Sequence, residues 1–218
     1  MLNHLRILIA DDHDIVRRGL KALLSSRPDW VVCGEATTGR EAVALAEQRR
    51  PDIVVMDIGM PGLNGLEAAR KIRKALPKTQ VMILSVHYSS ELVRGVVDSG
   101  AHAYLLKSDA DSDLLIAVEA LAQNRSFFTS GAAQVLIDGF CGAASGPRTS
   151  PMHKSLSARE REIVQLVAEG SSSKEVAVTL GISVKTAETH RANIMRKLEM
   201  HSVSDLVRYA VKNDIIEP

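Results

Sequence analysis

The chain has 218 residues, 45% of them hydrophobic and 24% charged, enough to bury a core in one large or two small domains. Its 27 Lys and Arg against 26 Asp and Glu leave a net charge of +1, a balance that by itself names no polyanionic partner. Cys33 and Cys141 are its two cysteines and lie far apart, which argues against a disulfide scaffold and for a reducing cytoplasm. The apolar patch at residues 5–10 is too short for a signal peptide, and no segment approaches the roughly 20 apolar residues of a membrane helix. A cytoplasmic protein with no membrane partner is the expectation.

Residues 6–10, Arg-Ile-Leu-Ile-Ala, read as a buried strand ending at Asp11 and Asp12. Residues 13–26 place Ile15, Val16, Leu20, Leu23 and Leu24 at helical spacing. A strand is expected at 31–36, with Cys33 in its core, and an Ala-rich helix at 39–49. Residues 52–57 run four apolar side chains straight into Asp57, and Gly59, Pro61 and Gly62 then mark a turn. A helix at 66–76, a strand at 80–85 and a helix at 89–98 follow, the last stopped by Gly100. A short strand at 103–106 ends at Lys107, and an amphipathic helix spans 111–123. This repeated strand-helix alternation predicts an α/β fold, a doubly wound parallel sheet of five strands with helices on both faces.

The strand ends carry the chemistry. Asp11, Asp12, Asp57, Ser85 and Lys107 all close strands, and open α/β sheets bind ligands at that carboxyl edge. Singly, each reads as a solvated strand end. Together they place three carboxylates side by side, which repel unless a cation joins them. Oxygen ligands with no His or Cys cluster indicate a hard ion, Mg2+, which keeps a coordination position for phosphate oxygens. Lys107 adds a positive charge suited to phosphate and Ser85 a hydroxyl donor. Asp57 is then a candidate nucleophile for an acyl phosphate.

The pieces Ile9-Ala10-Asp11-Asp12-His13, Met56-Asp57-Ile58-Gly59-Met60-Pro61-Gly62-Leu63-Asn64-Gly65, Leu84-Ser85 and Tyr104-Leu105-Leu106-Lys107 resemble the receiver domain of two-component response regulators, which has a flavodoxin-like fold. That resemblance covers residues 3–123. It implies phosphorylation of Asp57 by a sensor histidine kinase. It implies a metal site of Asp12 and Asp57, with Asp11 close by and the Gly59 carbonyl as a further ligand. It also makes Ser85 and Tyr104 a switch pair, in which the hydroxyl moves to the phosphoryl group and the ring turns inward. Many receivers place a cis proline after the lysine; Ser108 stands there instead.

Residues 132–140 form a candidate short helix, and the Gly, Ala, Ser and Pro of 142–151, with Cys141 beside them, have linker composition. The expected division is a receiver domain at 1–123, a linker with a short helix at 124–153, and a second domain at 154–218. Four helices are legible in the second domain. Ser157 with Glu160 and Ser172 with Glu175 are capping boxes. Gly170 and Gly181 end the helices they open, Ser183 caps a helix over 184–198, and Ser202 to Asp205 opens a fourth to about 212. A short helix, a glycine turn and a longer helix make a helix-turn-helix plan. Helical geometry turns Val184, Ala187, Ile194 and Leu198 inward and Lys185, Thr189, Asn193 and Arg196 outward. The outward face suits a major groove. The third helix concentrates positive charge, with Lys185, Arg191, Arg196 and Lys197 against Glu188.

Leu156-Ser157-Ala158-Arg159-Glu160, Lys174-Glu175-Val176-Ala177, Gly181-Ile182-Ser183 and Thr186-Ala187-Glu188-Thr189-His190-Arg191-Ala192-Asn193-Ile194 resemble the LuxR-type DNA-binding domain. Joined to a receiver, this looks like the NarL/FixJ subfamily. The resemblance implies base and phosphate contacts from Ser183, Lys185, Thr186, Glu188, Thr189, Arg191, Asn193, Arg196 and Lys197 on double-stranded DNA. It also implies a homodimer when phosphorylated. Ser172 stands where asparagine is common, and His190 reads as a packed residue. Two other classes compete. An Mg-dependent aspartyl-phosphate phosphatase would want a second aspartate two residues after Asp57, where Gly59 stands. A protein-protein adaptor would use both domains as docking surfaces without binding DNA.

Overall fold

The computed structural model describes residues 4–135 and 156–216. They fall into two compact units, divided between Ser145 and Gly146. The linker composition at 142–151, Cys141 and the end of the candidate helix at 132–140 lie outside the described residues.

The first unit is a parallel sheet in the order β2-β1-β3-β4-β5-β6. Its strands are β1 (Leu5–Ala10), β2 (Trp30–Ala36), β3 (Ile53–Asp57), β4 (Gln80–Ser85), β5 (Ala103–Leu106) and β6 (Phe127–Phe128). Between them run α1 (Asp14–Leu24), α2 (Gly39–Arg49), α3 (Gly65–Ala75), α4 (Ser90–Asp98) and α5 (Ala110–Ala122). The central strands are continuous apolar runs because helices cover both faces. Their side chains alternate between two cores. Ile7, Ile9, Ile53, Val55, Met82 and Leu84 pack with Leu20 and Leu24 of α1 and Leu114 and Val118 of α5. Leu8, Ala10, Val54, Met56, Val81 and Ile83 pack with α2, α3 and α4 through Ala42, Ala46, Ala69, Ile72 and Val93. Cys33 is half-buried against that second core, and its burial pushes the thiol pKa up.

The sheet corrects the five-strand expectation. β6 pairs parallel with β5, Phe127 beside Ala103 and Phe128 beside Tyr104, so these residues belong to the sheet rather than to a linker. A strand of two residues has no period to read in sequence. Residues 130–135 are helical, two positions earlier than the candidate helix.

The second unit holds α6 (Ala158–Ala168), α7 (Ser173–Leu180), α8 (Val184–Lys197) and α9 (Val203–Lys212). Ile163, Val164, Val176, Ala177, Ala187, Ile194, Leu206 and Ala210 form its core. Ser157, Ser172 and Ser202 each close a full capping box, and Ser183 caps α8 by accepting from the Thr186 amide. Gly181 ends α7 at φ +63°, the left-handed conformation that glycine adopts without a Cβ penalty. One expected core position fails. Val184 is 39% exposed, because it lies about 60° round the helix from Ala187 at the edge of the apolar stripe.

Serine at 172 therefore serves the turn fully. Ser172→Ala should make opening of α7 easier by about 1 kcal/mol, while Ser172→Asn keeps a good cap and should leave it unchanged. Amide exchange at Val176 and Ala177 in the full chain reads the difference.

Candidate functional site

Strand register brings the site together. Ala10 pairs with Met56, Asp57 with Leu84, and Ser85 with Leu106. The residues that close β1, β3, β4 and β5 are therefore neighbours at one edge. Asp11 and Asp57 are buried, at 0% and 1% exposure. Lys107 Nζ lies 2.9 Å from Asp11 Oδ2 and 2.9 Å from Asp57 Oδ1. Burial by itself would lower the Lys107 pKa. The hydrogen bond to Asp11 and the charge of Asp57 more than reverse that, so it stands raised and the ammonium stays charged. Lys107 also begins a short 3-10 turn to Asp109, and its bond to Ser108 is trans like every peptide bond among the described residues.

Asp12 is exposed at the rim. His13 joins the cluster from the start of α1. Its Nδ1 is 2.8 Å from Asp12 Oδ1 and 3.4 Å from Asp11 Oδ1, and its amide donates to Asp11 Oδ1 at 2.9 Å. One ligand atom from each of Asp11, Asp12, His13 and Asp57 fits within 4.8 Å. Arg17, one turn along α1, donates to the Asp11 carbonyl at 2.9 Å and pairs with Asp14. Gly59 is half-buried in the turn after β3. That turn is closed by the amides of Met60 and Gly65, both donating to the Ile58 carbonyl at 2.9 Å.

Ser85 and Tyr104 meet at one atom. Ser85 Oγ donates to the His87 carbonyl at 2.8 Å and accepts from the His87 amide at 3.1 Å. Tyr104 Oη donates to the same carbonyl at 2.6 Å, with its ring fully buried.

In the second unit, Ser183, Lys185, Thr186, Glu188, Thr189, Asn193 and Arg196 are exposed along α8, and Arg191, Lys197 and His190 are half-buried. The Ser183 and Thr186 hydroxyls bond each other at 2.8 Å, and the Thr189 hydroxyl donates to the Lys185 carbonyl at 2.8 Å. Arg196 donates to Asn193 Oδ1 at 2.9 Å. Lys197 differs from the rest: its Nζ lies 2.8 Å from Glu160 Oε2. Partial burial raises the Glu160 pKa, but the Lys197 ammonium and the Ser157 donors outweigh it, and the carboxyl stays below its usual range. Lys197 thus braces α8 against α6.

Residues 7–119 match the response regulator receiver domain, and residues 154–210 match the bacterial regulatory proteins of the luxR family. The chain is a response regulator of the NarL/FixJ type. The transcriptional regulatory protein MctR of Rhizobium johnstonii is 36% identical over 212 residues, 97% of this chain and 95% of that protein. LiaR of Bacillus subtilis is 35% identical over 212 residues, 97% of this chain and 99% of that protein. Among solved structures, a LuxR-family response regulator from Aurantimonas is 35% identical with a TM-score of 0.59, over 63% of this chain and 99% of that one. RcsB of Salmonella enterica serovar Typhimurium, bound to the rprA promoter with the phosphomimetic BeF3-, is 25% identical with a TM-score of 0.62, over 95% of this chain and 98% of that one.

For a response regulator, two site features were not legible from sequence. Arg17 shows no spacing that singles it out from the other helical arginines. The meeting of Ser85 and Tyr104 on a backbone carbonyl leaves no mark in residue type at all. No helix among the described residues is long and apolar enough to cross a membrane.

Proposed function

We propose that a sensor histidine kinase phosphorylates this regulator on Asp57, and that the phosphorylated form dimerises on double-stranded DNA to regulate transcription. The observation that carries this reading is the Lys107 ammonium held 2.9 Å from each of two buried carboxylates, Asp11 and Asp57. Lys107 leaves that carboxylate group with excess negative charge, since Asp12 stands beside it at the rim. Such a donor set fits a hard divalent ion. Asp11, Asp12 and Asp57 would hold Mg2+ with the Gly59 carbonyl, and Mg2+ when bound neutralises charge on an incoming phosphoryl group. Lys107 supplies further positive charge to phosphoryl oxygens. Ser85 supplies a hydroxyl that can donate to one of them, and with Tyr104 it forms the switch. At the position two residues after Asp57, Gly59 offers no acid or base, so the reading is of a receiver that accepts a phosphoryl group on its own Asp57 rather than one that turns over an external substrate.

For DNA, the exposed face of α8 supplies the readers. Thr189 and Asn193 would reach base edges, Lys185 would serve phosphates, and Arg196 phosphates or guanine. Ser183, Thr186, Glu188 and Arg191 flank them. Lys197 contributes first to holding α8 on α6. That RcsB was caught on a promoter supports the reading by likeness. Thr189→Ala or Asn193→Ala should relax base preference by about 1–3 kcal/mol at the affected position. Lys185→Ala should weaken all sequences alike and lower the salt slope by about 1. Fluorescence titration of duplex DNA at several salt concentrations tests this. Absence of any salt-dependent duplex binding by the parent protein would favour the adaptor reading.

A further inference from the structure

The segment after α5 is held on the receiver unit by a side chain that the phosphoacceptor reading does not use. Tyr88, in the loop between β4 and α4, donates from Oη to the Gly131 carbonyl at 2.6 Å. Its ring lies 6.5 Å from that of Tyr104, tilted by 48°. Beside this contact, Ala132 is fully buried in the core that also holds Tyr104, Leu92, Val93 and Val96, and Phe128 and Val135 pack on it. The Phe127 amide donates to the His102 carbonyl at 3.1 Å, and Phe128 lies beside Tyr104 in the sheet. This segment is the start of the only covalent path from the receiver unit to the DNA-binding unit.

We propose that Tyr88 is a latch holding residues 127–135 on the receiver, and that phosphorylation of Asp57 opens it through His87. The proposal rests on the reading of Asp57 as phosphoacceptor with Ser85 as switch. The His87 carbonyl now accepts two hydroxyls, from Ser85 and from Tyr104. Ser85 has one proton to donate. If a phosphoryl oxygen takes it, the His87 carbonyl keeps the Tyr104 hydroxyl but loses the Ser85 donor, and the loop that carries Tyr88 is held less firmly to the end of β4. Tyr88 follows its neighbour, and its hold on Gly131 weakens. A change confined to one hydroxyl then becomes a change in how firmly the segment leading to the DNA-binding unit is seated. Tyr88 is a positioning residue: its hydroxyl is given to Gly131, and it acts on the segment.

Hydrogen exchange of the full-length protein, resolved to peptides spanning 127–135, tests the latch. Tyr88→Phe keeps the ring beside Tyr104 and removes the hydroxyl. Without any phosphoryl donor it should exchange these amides about fivefold faster than the parent, the scale of one net hydrogen bond, with α1 and β3 unchanged. Gly131→Ala keeps the accepting carbonyl, and its Cβ would meet Tyr88 Oη at 3.5 Å, an ordinary contact; it should not exchange faster than the parent. Acetyl phosphate with Mg2+ should speed exchange of the same amides in the parent and add little in Tyr88→Phe. Parental protection in Tyr88→Phe would overturn the latch. A phosphoryl group seen by intact mass with unchanged protection at 127–135 would overturn the coupling. If no phosphoryl group is gained, the failure belongs to the reading of Asp57, and the unphosphorylated Tyr88→Phe comparison alone decides the latch.

Discussion

Asp57→Asn is expected to abolish phosphorylation outright. With acetyl phosphate and Mg2+, the parent chain should gain one phosphoryl group by intact mass and the variant none, because an amide nitrogen or oxygen cannot form the acyl phosphate. The variant should still fold. Asp57 sits at 1% exposure beside Lys107, and asparagine keeps its volume and an acceptor for that ammonium. Removing one carboxylate also relieves repulsion with Asp11 and Asp12. Chelating the metal should prevent the gain in the parent as completely as the substitution does. A phosphoryl group on Asp57→Asn would place the nucleophile elsewhere.

Gly65→Ala should have the second largest effect, through geometry alone. A Cβ at Gly65 would lie 2.0 Å from the Asp57 carbonyl oxygen and 2.9 Å from its carbon. Both contacts are with backbone, so β3 or the start of α3 must move. Overpacking of this kind costs about 1–3 kcal/mol. Displacing a reacting group by about 1 Å can cost on the order of a hundredfold in rate. We therefore expect phosphorylation slowed about a hundredfold together with a lower melting temperature. Gly19→Ala is the matched control, since a Cβ there meets nothing within 4 Å. The time course of mass gain after acetyl phosphate addition distinguishes the two. A parental rate for Gly65→Ala would show that the loop absorbs the methyl group without moving Asp57.

Gly65 also illustrates what sequence could and could not reveal. It was visible as part of a motif after Asp57, but the close approach that excludes a side chain exists only when α3 starts against the end of β3. The strands β1, β3 and β4 were legible because burial on both faces makes them nearly uninterrupted apolar runs. The site followed from them, since the residues that close the strands must share an edge once the strands are parallel. The caps at Ser157, Ser172, Ser183 and Ser202 were legible because side chain and helix start lie within three residues. What escaped depends on long-range partners. β6 is a strand only because β5 leaves its edge open to Phe127 and Phe128. The ion pair of Lys197 with Glu160, 37 residues earlier, is likewise invisible in the sequence. Val184 looked inward by period and lies outward at the stripe's edge.

The coupling of phosphorylation to DNA binding is tested most directly by sedimentation with a duplex carrying a two-fold symmetric site, with and without acetyl phosphate and Mg2+. Two helix-turn-helix units read half-sites about one helical turn apart, so whatever favours the dimer raises affinity without altering α8. Phosphorylated parent protein is expected to shift from monomer to dimer and to bind the duplex more tightly as two copies, and Asp57→Asn to do neither. Tighter binding by a phosphorylated protein that stays monomeric on and off the DNA would contradict dimerisation as the link.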